Sequence, residues 1–211
     1  MREAGPERGV SPPAGPAAGL TFWSQTSLPG RPSVISIDAT QDTHGWESEA
    51  AARVTNSLVR RDIRVVSGGV IVANGLEEVV SSLRPPGGYN CILIFAGTEG
   101  EVPAASLWSE LKARLGGQQK LFALCTWDGA DGRVSEDVLK GRDHFGVMGV
   151  AQQTPLSGRA AGLFFMKFFA ELDLHSHATE SMTGKMVWFA HSKAREILRR
   201  RHLDGRIGLR S

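Results

Sequence analysis

The chain has little cysteine: among its 211 residues only Cys91 and Cys125 occur, both inside apolar runs. This count excludes a disulfide-rich secreted scaffold and a zinc site with four thiolate ligands. No apolar stretch approaches the ~18 residues that a membrane-spanning helix needs. Residues 1–16 also lack the basic cluster and apolar segment of a signal peptide. We therefore expect a cytoplasmic protein without membrane attachment.

An excess of charge of one sign is also absent, since the formal net charge is only +2. The basic excess is local: residues 195–211 contain six arginines and two carboxylates. Arginines at the end of a helix complement its dipole, whereas a nucleic-acid surface usually adds interleaved aromatic residues. The pattern argues against a nucleic-acid partner and predicts a basic C-terminal tail over residues 204–211.

Proline is scarce beyond the first part of the chain, because six of the ten prolines precede residue 33. A segment so rich in proline and glycine has little apolar surface to bury. We therefore expect residues 1–32 to form a disordered tail or linker and residues 33–203 to form the folded domain. Deleting residues 1–32 should then cost less than ~1 kcal/mol of stability.

Beyond residue 33, strand-like and helix-like segments alternate. Continuous apolar runs predict strands buried on both faces, and apolar residues at helical spacing predict helices between them. The predicted strands are 33–37, 64–72 (divided at Gly68-Gly69), 91–96, 121–125 and 145–150, and the predicted helices are 47–61, 76–83 (with Asn74 as N-cap), 107–115, 158–172 and 180–201. This alternation predicts an α/β fold with a mostly parallel sheet and helices on both faces.

In such a sheet, ligands and catalytic residues gather at the carboxyl ends of the strands. The loops there, residues 38–46, 97–103 and 126–132, are polar and contain glycine or acidic residues. Cys125 ends one of the central strands, where its thiol is either a nucleophile or a small buried apolar group. The other candidate pocket residues are Asp38, Asp42, Glu99 and Asp128.

Several short motifs follow one another in order: Phe95-Ala96-Gly97, Gly100-Glu101, Ser106-Leu107, Lys120–Cys125, Gly146–Val150, Ala160–Leu172 and Ala190–Leu198. In this order and spacing the chain resembles the CHAT family, caspase-like cysteine peptidases of the group that includes caspases, clostripain and separase. The resemblance covers about residues 33–200. It implies a three-layer caspase-like domain with a mostly parallel central sheet and helices on both faces.

The resemblance also implies a catalytic dyad. In the family, a histidine after the third strand takes the proton of a cysteine at the end of the fourth, and backbone N–H groups bind the oxyanion. Cys125 falls at the cysteine position. The family's histidine motif is replaced by Gly97-Thr98-Glu99-Gly100, so Thr98 stands in place of the base between oxyanion-loop glycines Gly97 and Gly100. Loss of a general base costs ~10²–10⁴ in rate.

The leading hypothesis is therefore a catalytically impaired caspase-like domain, acting as an interaction or regulatory component in a bacterial defence or signalling system. The first alternative is an active cysteine endopeptidase in which Cys125 uses His44, or a histidine from a partner, as its base. His44 follows the first strand and would lie about 10 Å from Cys125, two strand spacings away. The second alternative is a small-molecule or nucleotide sensor at the same sheet edge, although the glycine pattern of a phosphate-binding loop is absent.

The aromatic helix at 158–172 has two interpretations. Its phenylalanines cover more than one face, as they would in deep burial against a sheet or in a surface that docks a partner. The candidate interface residues are Phe164, Phe165, Phe168, Met182, Met186 and Trp188. This interpretation implies a protein partner, such as a helical-repeat protein, an active caspase-like peptidase or a second copy of the chain. No metal or cofactor is expected.

Overall fold

The computed structural model describes residues 27–39, 46–83, 88–96, 110, 113, 120–126, 148–152, 158–201 and 207–208. The strands are β1 (Ser27–Pro29), β2 (Ser33–Ala39), β3 (Arg64–Val72), β4 (Cys91–Ala96), β5 (Leu121–Thr126), β6 (Met148–Gln152), β7 (Ser181–Thr183) and β8 (Ile207–Gly208). The helices are α1 (Trp46–Arg60), α2 (Leu76–Ser82), α3 (Gly158–Ser176) and α4 (Gly184–Arg200).

The main sheet has the strand order β3-β2-β4-β5-β6-β8. All neighbours from β3 to β6 are parallel, and only β8 is antiparallel, to β6. Parallel neighbours need crossover connections, and α1 lies in the connection between β2 and β3. The predicted α/β class with a mostly parallel sheet is confirmed, and β2, β4 and β5 are parallel neighbours.

Strand β4 shows why its unbroken apolar run is needed. Leu93 and Phe95 join the apolar core that the sheet forms with α1, α3 and α4. Ile92 and Ile94 point to the opposite face of the pleat and are also fully buried. The sheet is therefore covered on both faces at β4, as the sequence predicts.

Helix α3 packs against the sheet through its phenylalanines. The Phe165 ring meets Phe95 of β4 edge-on, with centroids 5.9 Å apart, and Phe164 stacks on Phe168. All three α3 rings are at most 2% exposed, and Met182 of β7 is completely buried. The interface interpretation is therefore wrong for Phe164, Phe165, Phe168 and Met182, which pack in the core. Met186 is half-buried against the core, and Trp188 is 47% exposed.

The predicted boundary at residue 32 is also wrong. Leu28 of β1 pairs with Met182 of β7 in an antiparallel ribbon and is fully buried. Arg31 forms two hydrogen bonds of 2.9 Å with the carboxylate of Asp173 in α3. Residues 27–32 therefore belong to the folded domain, whereas residues 1–26 lie outside the described residues.

Smaller corrections concern element ends. Strand β3 is continuous, but its register with β2 jumps between Val65 and Val70, and Gly68 has a φ of 70° in the intervening bulge. The N-cap of α2 is Gly75 rather than Asn74. Residues 207–208, placed in the basic tail, form β8. Strand β6 begins at residue 148; the predicted residues 145–147 lie outside the described part, as does most of 107–115, where residues 110 and 113 are helical.

Candidate functional site

The carboxyl edge of the sheet brings two predicted site residues into one row. Asp38 of β2 pairs with Phe95 of β4, and Phe95 pairs with Cys125 of β5. Adjacent strands lie ~4.8 Å apart, so the backbones of Asp38 and Cys125 are about 10 Å apart. The expectation that Asp38 and Cys125 lie at the same edge of the sheet is confirmed.

Asp38 is buried and anchored at this edge. Its side chain accepts a hydrogen bond from the Ser48 hydroxyl in the first turn of α1, and its carbonyl accepts one from the Ala73 N–H at 2.8 Å. Ser36 lies two residues before Asp38, on the same face of β2, and its Oγ accepts a hydrogen bond of 2.8 Å from the Thr55 hydroxyl of α1. Buried polar groups need such partners, so these contacts fix α1 on the sheet.

The two cysteines lie towards opposite ends of the parallel sheet. Cys125 is next to last in β5, at the carboxyl edge. Cys91 begins β4, is fully buried, and its thiol lies 3.3 Å from Asn90 Oδ1. Burial raises the pKa of the Cys91 thiol well above its ordinary value of 9.0. Cys91 is therefore a small core residue with little thiolate at neutral pH.

The remaining predicted site residues lie outside the described residues: Asp42, His44, Gly97, Thr98, Glu99, Gly100 and Asp128.

In the part of the chain that the structure describes, no group of three or more histidine, cysteine, aspartate or glutamate residues could hold a metal ion. None of the described helices combines the length and the apolar character required to cross a membrane.

A cleft that the sequence did not predict lies at the opposite, amino edge of the sheet. We call it the amino-edge cleft; its volume is about 510 Å³. It is lined by residues that precede or begin β2, β3, β4 and β5 and by one residue of α3: Pro29, Gly30, Arg31, Pro32, Ser33, Asp62, Arg64, Gly88, Tyr89, Asn90, Lys120 and Asp173. No local motif predicts this cleft because its residues come from widely separated segments.

Asn90 holds one wall of the amino-edge cleft. Its Oδ1 accepts a hydrogen bond from the Ser33 N–H at 2.8 Å, and its Nδ2 donates to the carbonyls of Pro29 and Arg31 at 2.8 and 2.9 Å. The Ser33 hydroxyl donates to the Gly88 carbonyl at 2.6 Å. The strand β1–β2 connection is thus fixed to the segment that precedes β4.

Charged groups of both signs line the cleft. The hydrogen bond with Asp173 is the largest cause that raises the pKa of Arg31, and Asp62 adds a smaller attraction. Lys120 donates to the Tyr89 carbonyl, and its ammonium lies 4.5 Å from the centre of the Tyr89 ring. Burial lowers the pKa of Lys120 and raises that of Tyr89 to about 12.

No protein-family model matches the sequence, and no curated protein is significantly similar to it.

Proposed function

We propose that the chain is a catalytically impaired caspase-like domain of the CHAT type, which acts in the cytoplasm as an interaction or regulatory component of a bacterial defence or signalling system. The observation that carries the proposal is the Asp38–Phe95–Cys125 row. The family's dyad bridges the carboxyl ends of its adjacent third and fourth strands. In this chain β4 and β5 correspond to those two strands, and they are parallel neighbours. Cys125 of β5 pairs with Phe95 of β4, and Phe95 lies two residues before Gly97.

The sheet supports the same assignment. In the caspase strand order, the first strand lies beside the third. The corresponding strands of this chain, β2 and β4, are also neighbours. Helices α1, α3 and α4 cover one face. On the other face Ile92 and Ile94 are buried, and so are Val79 and Val80 of α2, which favours a third layer there.

The sequence that directly follows β4 is the reason for the proposed loss of activity. Residues 97–100 contain no histidine, and Thr98 cannot accept a proton at neutral pH. A free thiol with a pKa of ~8.5 is only a few per cent ionised at pH 7. Without a base, the rate falls by ~10²–10⁴, which leaves binding as the principal function of the domain.

The proposed partner is a protein, such as a helical-repeat protein or an active caspase-like peptidase. Of the predicted interface residues, Trp188 is the most exposed, at 47%. It lines a shallow groove on α4 of about 230 Å³ together with Arg195 and Arg199. Tryptophan and arginine are the residue types that most often dominate binding energy at protein interfaces.

Alkylation of Cys125 tests the active-site assignment. We expect the wild type to leave acidic and basic peptide substrates uncleaved. The Cys125→Ala variant should show the same lack of peptide cleavage. Thr98→His combined with deletion of Glu99 recreates Gly-His-Gly, so an imidazolium should lower the pKa of the Cys125 thiol. Iodoacetamide should then modify Cys125 several-fold to about tenfold faster at pH 6–7, measured by peptide mass spectrometry.

The matched control is Thr98→Gln with the same deletion, which changes the loop equally but supplies no imidazolium. Equal alkylation rates in the two variants would contradict the placement of Thr98 beside Cys125. Peptide cleavage by the wild type that is lost in Cys125→Ala or His44→Ala would overturn the impaired-domain proposal in favour of an active peptidase.

A further inference from the structure

We propose that the amino-edge cleft binds a small molecule through a single phosphate or carboxylate group. This goes beyond the proposed function, because the cleft lies at the other end of the sheet from Asp38 and Cys125. Strand β2 has seven residues. At ~3.3 Å per residue it separates the two places by about 20 Å. The volume of about 510 Å³ lies in the range of small-molecule sites.

The first argument is an excess of hydrogen-bond donors. Arg31 donates two hydrogen bonds to the Asp173 carboxylate, and the negative charge of Asp62 also attracts the Arg31 guanidinium. Arg64 makes no ion pair with any residue that the structure describes. A guanidinium offers more donors than one carboxylate accepts and binds planar oxyanions in a bidentate manner. Arg64 therefore has the capacity to bind an anion from solvent.

The second argument is the position of Arg64. Its backbone pairs with Ser33, the first residue of β2. Arg31 lies two residues before Ser33, in the β1–β2 connection, so both arginines reach the cleft at the amino edge of the sheet. The Nη2 of Arg64 lies 3.7 Å from the position that a Cβ on Gly88 would occupy. The guanidinium thus lies close to the Gly88 wall of the cleft, where Arg64 is also exposed to solvent.

The third argument is preorganisation. The hydrogen bonds of Asn90 fix the backbone around Arg31 before any ligand arrives, which lowers the ordering cost of binding. Pro29 and Pro32 give the cleft apolar surface for the carbon part of a ligand. Because two carboxylates also line the cleft, a ligand with one anionic group fits better than a polyanion.

The experiment titrates the wild-type chain with inorganic phosphate and, separately, with acetate, at constant ionic strength set by sodium chloride. Thermal unfolding and isothermal titration calorimetry are the readouts. We expect a saturable rise in Tm with at least one probe, because a ligand that binds only the folded state stabilises it. Arg64→Gln should weaken binding at least ~tenfold, the scale of a lost charge-assisted contact.

The matched control is Arg53→Gln, which removes an exposed arginine of α1 that pairs with Glu49 outside the cleft. General stabilisation by phosphate acts on all variants alike, so only a site-specific effect separates the two substitutions. Loss of the response in Arg64→Gln alone supports the proposal, and the stronger probe identifies a phosphate or a carboxylate ligand. Equal responses in all three proteins would indicate an adventitious ion only and would overturn the proposal. The absence of a response to either probe would also overturn the proposal. Neither readout depends on peptidase activity or on a partner.

Discussion

At the scale of single residues, the two cysteines show how position decides chemistry. Both lie in apolar strands, yet Cys91 begins β4 and Cys125 lies near the end of β5. The Cys91 sulfur is fully buried, 4.0 Å from the sulfur of Met182. Desolvation by burial is the largest cause of its raised pKa, which makes Cys91 a reporter of folding rather than a nucleophile.

This burial predicts a pH dependence of stability. Above the ordinary thiol pKa of 9.0, Cys91 ionises in the unfolded chain but keeps its proton in the folded one. The unfolded state then binds fewer protons, so the free energy of unfolding falls as pH rises, by up to ~1.4 kcal/mol per pH unit. Urea unfolding of the wild type and Cys91→Ala between pH 8 and pH 10.5 measures this difference. Parallel pH profiles for the two proteins would contradict it.

At the scale of elements, local sequence predicts what local physics determines. The apolar runs of β4 and β5 are recognisable because a strand covered on both faces has no polar alternate positions. Strands β1 and β7 are not recognisable, since each has three residues and they exist only by pairing with one another. The sequence likewise suggested two outcomes for the phenylalanines of α3, and only the packing of α3 against the sheet, α1 and α4 decides between them.

Helix α3 and helix α4 therefore give opposite mutational predictions. Phe168→Ala removes a fully buried ring that packs on Phe164 and Phe169, and should cost ~3–5 kcal/mol. Trp188→Ala removes an exposed ring and should change stability by less than about 0.5 kcal/mol. Chemical denaturation of both variants tests the assignment. A small cost at Phe168, or a large one at Trp188, would show that the core and surface of these helices are assigned incorrectly.

At the scale of the whole molecule, the two edges of the sheet differ in how far the sequence predicts them. Topology alone puts Asp38 and Cys125 at the carboxyl edge, because parallel strands end together. The amino-edge cleft depends on long-range contacts, such as Arg31 with Asp173 and Asn90 with Pro29. No spacing rule links such residues. The same contacts predict that residues 27–32 contribute to stability, in contrast to the expectation from sequence composition.

Truncation tests this correction. A chain that starts at residue 33 loses β1, the buried Leu28 side chain and the Arg31–Asp173 ion pair that a chain starting at residue 27 retains. Burial of a leucine side chain alone contributes ~1.5–3 kcal/mol, so the shorter chain should be less stable by at least ~2 kcal/mol in urea unfolding. Leu28→Ala in the full chain isolates the apolar part and should cost ~2–5 kcal/mol. Equal stability of the two truncated chains would show that β1 is dispensable and that the folded domain begins at β2.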